Sequence, residues 1–254
     1  MKKGMSIVIA ILFGLNIVLV VFIILLLTGV VDVNINNIKN NEDNNSINNN
    51  IDNGNVGDNI DIISDDDKYA SIIDEYRNAM NDNNYDDNND NYKNINQNMI
   101  SIYHKHKSGL YEGTMTINYC YYDINKDGNN ELIVSGTKNN IIAIYTYDGG
   151  TVNVFINDSC LGERCNVSIY DNGIIYFYGA GGAAVHGLTF YKIGNDGYSR
   201  EIVKDFGVEI KDGIYNIESD GVKTDFKSDK EAIDSVVNGA SVVDLSKLEF
   251  KEIK

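Results

Sequence analysis

From Gly113 onward the chain is cut into short β-branched and aromatic runs by turns built on Asp-Gly and Asn-Gly pairs, and this punctuation constrains the fold most. Runs of that length read as strands, and turns of that chemistry join antiparallel neighbours. The spacing predicts strands at 116–122, 131–135, 141–147, 151–156, 167–170, 174–178 and 188–193. Hairpin turns are expected at Asp148-Gly149-Gly150, Asp171-Asn172-Gly173, Asn195-Asp196-Gly197 and Asp220-Gly221.

Ahead of the strands the period changes. Ser64-Asp65-Asp66-Asp67 is an acidic helix start, and Tyr69, Ile72, Ile73, Tyr76, Ala79 and Met80 follow at three- and four-residue steps. An Asn/Asp run over 81–91 interrupts, and a second helical pattern uses Tyr92, Ile95, Met99, Ile102 and Tyr103 before Gly109. A last helix is expected over 228–237, with Ser228 as cap and Glu231 as its capping-box partner. The fold class is therefore α+β: mainly antiparallel β, a hairpin-rich twisted sheet or partial barrel, with two N-terminal helices packed on it.

Residues 5–31 carry no charge and are long enough to cross a bilayer, which takes roughly 20 apolar residues. The exit, Leu27-Thr28-Gly29-Val30-Val31-Asp32, lacks a small-x-small cleavage site, so an uncleaved transmembrane signal-anchor is expected. Lys2 and Lys3 keep the stub at 1–4 cytoplasmic and send the rest outside. Residues 32–67, dominated by Asn and Asp, read as a disordered linker. A flexible coil of about 35 residues spans about 30 to 35 Å. Residues 68–254 are then an extracellular domain of a single-pass cell-membrane protein. The formal charge of −16 provides no basic cluster for phosphates, so nucleic acid is excluded as a partner.

Chemistry concentrates in Asp123-Ile124-Asn125-Lys126-Asp127-Gly128-Asn129-Asn130-Glu131. Oxygen-bearing side chains at alternate positions followed by a glycine suit a hard cation, since Ca²⁺ takes six to eight oxygens at about 2.3 to 2.6 Å. Asp123, Asn125 and Asp127 would offer side chains, Asn129 its carbonyl and Glu131 the closing carboxylate. A helix-loop-helix site would need a glutamate where Val134 stands, and both flanks read as strands.

The loop resembles the strand-loop-strand calcium loops of FG-GAP and VCBS-type repeats, in which Asp123, Asn125, Asp127 and Glu131 match side-chain ligand positions. The stretch from Tyr119-Cys120-Tyr121-Tyr122 through Ile169–Tyr176 to Gly179–Gly187 is similar to an uncharacterised cell-surface domain widespread in low-GC Gram-positive bacteria, covering 69–250. That resemblance implies an exported domain and carries no active-site residues; many of its members are lipoproteins, from which this chain departs by its anchor.

The remaining candidates are weaker. Gly179-Ala180-Gly181-Gly182-Ala183-Ala184 matches a dinucleotide fingerprint, yet the run that follows alternates like a strand instead of opening a helix. His104 and His106, two apart on a helix, do not share a face. His186 stands alone beside the glycines, and only residue type supports pairing it with Cys165 as base and nucleophile. Cys160 and Cys165 could form a local disulfide on an oxidising side of the membrane, while Cys120 reads as a buried thiol. The expected function is a calcium-stabilised, non-enzymatic binding module for an envelope polymer or protein. An envelope hydrolase and a structural subunit of an envelope complex are the rivals.

Overall fold

A computed structural model describes residues 63–86, 90–137, 140–157 and 164–254. The expected anchor, the linker up to residue 62 and Cys160 lie outside the described residues. Among the described residues no helix is long and apolar enough to cross a membrane.

Ser64 caps a single helical turn, α1 (Asp65–Lys68), by accepting from the Asp67 amide, so the acidic signal starts a helix as its sequence indicates. Helix α2 (Ala70–Asn81) buries Ile72, Ile73, Tyr76, Ala79 and Met80, the stripe its period defines. Helix α3 (Gln97–Lys107) begins later than the second pattern suggests, because Asn96 caps it through the Met99 amide. Tyr92 falls in a separate 3-10 turn (Asp90–Tyr92), and α3 buries Met99 and Ile100 while Ile102 and Tyr103 stay half-buried.

The β-region contains two sheets, and every pairing in them is antiparallel. The first comprises β1 (Asn118–Tyr122), β2 (Glu131–Ser135), β3 (Ile141–Tyr147), β4 (Val152–Ile156) and, returning from the C-terminus, β11 (Lys251–Glu252) beside β1. The second is a meander of β5 (Cys165–Ile169), β6 (Ile175–Ala180), β7 (Val185–Ile193), β8 (Arg200–Lys211), β9 (Ile214–Ser219) and β10 (Val222–Lys223). Helix α4 (Asp229–Val237) follows, capped by Ser228 through the Glu231 amide at 3.3 Å. The Glu231 carboxylate accepts from the Lys227 amide at 2.8 Å, one residue before the cap.

Two stacked sheets replace the expected single twisted sheet or partial barrel, and strand parity gives the reason. Successive side chains point to opposite faces. In β2 all five residues are buried: Leu132 and Val134 join α2 and α3 in one core, while Ile133 joins a second core with Val167, Ile169, Ile175 and Ile193 of the other sheet. The far face of the second sheet repeats the arrangement, with Leu188, Phe190 and Phe206 against Ala232 and Val237 of α4. The order of layers is helices, sheet, sheet, helix. The segment after α4 bonds to the β5 edge, Val243 N–H donating to the Ile169 carbonyl at 2.8 Å, and contributes Val243, Leu245 and Leu248 to the inter-sheet core.

Candidate metal centre

The loop from Asp123 to Asn130 joins β1 to β2, whose last pair is Tyr122 opposite Glu131, so the flanks are strands as expected. Its base is fixed by burial. Ile124 is 1 % exposed and sits in the inter-sheet core, and its backbone N–H donates to Glu131 Oε2 at 2.8 Å. The tip is wound by its own oxygens. Asp123 accepts from the Asp127 amide at 3.1 Å and the Gly128 amide at 3.0 Å, and Asn125 Oδ1 accepts from the same Asp127 amide at 3.2 Å. Asp127 in turn accepts from the Asn129 amide at 2.7 Å and from Asn125 Nδ2 at 2.9 Å. Gly128 takes φ +93°, and Lys126 is also left-handed at φ 62°, a feature that no Asn or Gly at that position announces.

Two turns of the second sheet clamp this loop. A Cβ on Gly173, at φ +83°, would stand 3.2 Å from the Ile124 carbonyl oxygen. A Cβ on Gly197, at φ +81°, would stand 3.1 Å from an Asp127 carboxylate oxygen. Both glycines therefore allow a close approach as well as a tight turn. On the third side, Tyr69 donates to the Asn130 carbonyl at 2.9 Å, and Asn130 Nδ2 donates to Asp65 at 2.7 Å. The loop thus joins α1 and both sheets.

Glu131 is 2 % exposed, and burial pushes its carboxyl up to about 8. The Ile124 amide holds it down, and the charges of Asp127 and Asp123 add to the rise. Carboxylates crowded on one short loop repel, and a divalent cation among them would relieve that repulsion. Among the described residues no three His, Cys, Asp or Glu side chains converge as a metal cluster on their own. Oxygens from Asn125 and the Asn129 carbonyl would therefore have to complete any calcium shell here. Next to the loop lies a polar cleft of about 530 Å³, lined by Asp127, Asn129, Asp148 and Asp196 with Lys68 at its side.

The other candidates resolve as structural groups. His104 bonds the Ala79 carbonyl at 2.9 Å and stacks on Tyr85, while His106 bonds the Gly113 carbonyl at 3.2 Å, so the two serve different contacts. Gly179 and Ala180 end β6 and Val185 opens β7, so a strand follows the glycines and no helix N-terminus awaits a phosphate. His186 is not alone: its Nε2 lies 2.9 Å from both carboxylate oxygens of Asp229 in the first turn of α4, a partner 43 residues distant that the sequence does not reveal. Cys165 is disulfide-bonded, which removes it as a thiol nucleophile for His186. Cys120 is a free, buried thiol as expected, and burial pushes it up to about 12.

No protein-family model, curated protein or solved structure matches this chain.

Proposed function

We propose that the chain is a calcium-stabilised, non-enzymatic binding module, held outside the cell by an N-terminal membrane anchor. The observation that carries this reading is the loop at 123–131. Asp123, Asn125 and Asp127 wind it, Glu131 is buried at its base, and its alternation of oxygens matches that of strand-loop-strand calcium loops of the FG-GAP type. The cleft beside the loop supplies carboxylates, amides and one ammonium, a lining suited to a hydroxyl-rich envelope polymer or a polar protein segment. The apolar run at 5–31 and the acidity of the remainder support the address.

Magnitude assigns the ion its role. Extracellular modules bind calcium at about 10⁻⁴ to 10⁻³ M, so millimolar calcium adds about 0.4 to 1.4 kcal/mol. That is a staple for a loop, and too little to act as a switch. The test is thermal unfolding of the full chain with 1 mM calcium and with chelator, which should differ by about 1 to 6 °C. An identical melting temperature in the two conditions removes the calcium reading. Protease treatment of intact cells tests the address separately, since a shielded C-terminus removes the surface role whatever the loop binds.

A further inference from the structure

The contacts that hold helix α1 are polar. None of its four residues is buried, and the first apolar anchor after it is Tyr69, at 0 % exposure. Asp66 accepts from the Tyr121 hydroxyl at 2.8 Å and from Lys251 Nζ at 3.3 Å. Asp65 accepts from Asn130 Nδ2 at 2.7 Å and, within its own turn, from Lys68 Nζ at 3.1 Å. Tyr69 completes the attachment by donating to the Asn130 carbonyl at 2.9 Å. A single helical turn without apolar burial opens at little cost, because short helices take their stability from packing.

Asn130 links this turn to the loop at 123–131. It stands between Asn129 and Glu131, which offer the carbonyl and the closing carboxylate of the proposed calcium shell, so fixing both neighbours also fixes the carbonyl and side chain that Asn130 turns toward Tyr69 and Asp65. Charge acts in the same direction. Helix α1 carries Asp65, Asp66 and Asp67 in succession beside a loop that carries Asp123, Asp127 and Glu131. Tyr69 registers how close these groups lie: burial, and after it the charges of Glu131, Asp65 and Asp127, hold its phenol above the ordinary value. Like charges oppose a contact between their segments, and a divalent cation on one side removes that opposition. Ile63, just before α1, and Lys68, at its end, line the polar cleft beside the loop.

We infer that α1 is a calcium-dependent strap at the wall of the cleft: with the loop loaded, Asn130 holds Asp65 and sets the wall formed by Ile63 and Lys68, and with the loop empty the turn loosens and that wall is lost. The inference rests on the calcium reading of the loop and adds its consequence for the ligand cleft. Its size is bounded. At millimolar calcium, a site with a dissociation constant of about 10⁻⁴ to 10⁻³ M shifts a coupled equilibrium by at most about two- to tenfold. The strap is therefore biased and not switched, in keeping with the ion's role as a staple. Reciprocity limits the effect of the strap on calcium affinity to the same factor.

The experiment is hydrogen exchange of the full chain in detergent, labelled from milliseconds to hours with 1 mM calcium and with chelator, alongside calorimetric titration with calcium chloride. The amides of Asp67, Lys68 and Tyr69 donate to the Ser64 and Asp65 carbonyls and so report the turn. Chelation should speed their exchange by about two- to tenfold. Asn130→Ala should bind calcium within about tenfold of the parent affinity and exchange fast at 67–69 in both conditions, while core amides keep the slowing that calcium gives the whole fold. Asn130→Asp, equal in size and charged against Asp65, should do the same, which separates loss of the contact from loss of side-chain volume. Binding heat with unchanged exchange at 67–69 would overturn the strap and leave the calcium reading standing. A calcium effect at 67–69 that survives both Asn130 variants would also overturn it. Absence of any binding heat would remove the calcium reading and the strap together.

Discussion

At Tyr76 and Tyr145 a chain of hydrogen bonds crosses the core beneath the N-terminal helices. The Asn96 amide donates to Tyr76 at 3.2 Å, Tyr76 donates to Tyr145 at 3.1 Å, and Tyr145 donates to the Asn94 carbonyl at 3.0 Å. Both rings are fully buried. Burial pushes Tyr76 up to about 12 and raises Tyr145 well above the ordinary value of 10.0. Their folded-state values exceed the unfolded ones, so the associated stability is complete below pH 10 and is lost as pH rises from about 10 through 12. Denaturant titrations across that window should show a falling unfolding free energy, with the part of the phenolate absorbance that comes from the buried tyrosines appearing only as the chain unfolds. At the proposed calcium loop, Glu131→Gln keeps a carbonyl oxygen for the Ile124 amide and removes the charge. The variant should fold, and its calcium affinity by calorimetry should fall about tenfold or more, since ligand charge sets such affinities.

Among the elements, the β1–β2 hairpin is the most legible. Its strands, their register and the glycine of its loop follow from alternation and turn chemistry. The contacts that hold the loop in place do not, because Gly173 and Gly197 approach it from hairpins of the other sheet. Gly173→Ala should cost about 1 to 3 kcal/mol, from a left-handed backbone and a Cβ against the Ile124 carbonyl. Chemical denaturation measures that cost, and calcium titration of the same variant should show a weakened site. Strand β8 escapes sequence pattern for a different reason. Only Phe206 and Val208 of its residues are buried, Ile202 is 67 % exposed, and apolar and polar residues therefore do not alternate along its first half. The Asp212-Gly213 turn after it is a recognisable hairpin signal, with φ 53° and 76°.

For the whole molecule, the decisive arrangement is that the first sheet is covered on both faces, by helices on one and by the second sheet on the other. Ile133 lies in the inter-sheet core at 0 % exposure. Ile133→Ala should therefore cost about 2 to 5 kcal/mol and lower the denaturation midpoint of probes in both sheets together. Separate transitions for the two sheets would show that they do not share one cooperative core.

The sequence by itself determined the strands from 116 to 193, their hairpin turns, the helices and the oxygen-rich loop. Each of these depends on periodicity or turn preference within a few residues. Only the tertiary structure decided that the strands split into two sheets, that Asp229 meets His186, and that glycine turns of one sheet clamp the loop of the other. The physical reason is that an apolar residue states that it will be buried and never against what. A five-residue strand with both faces apolar is equally compatible with a helix, a sheet or a barrel wall until distant segments compete for its surface.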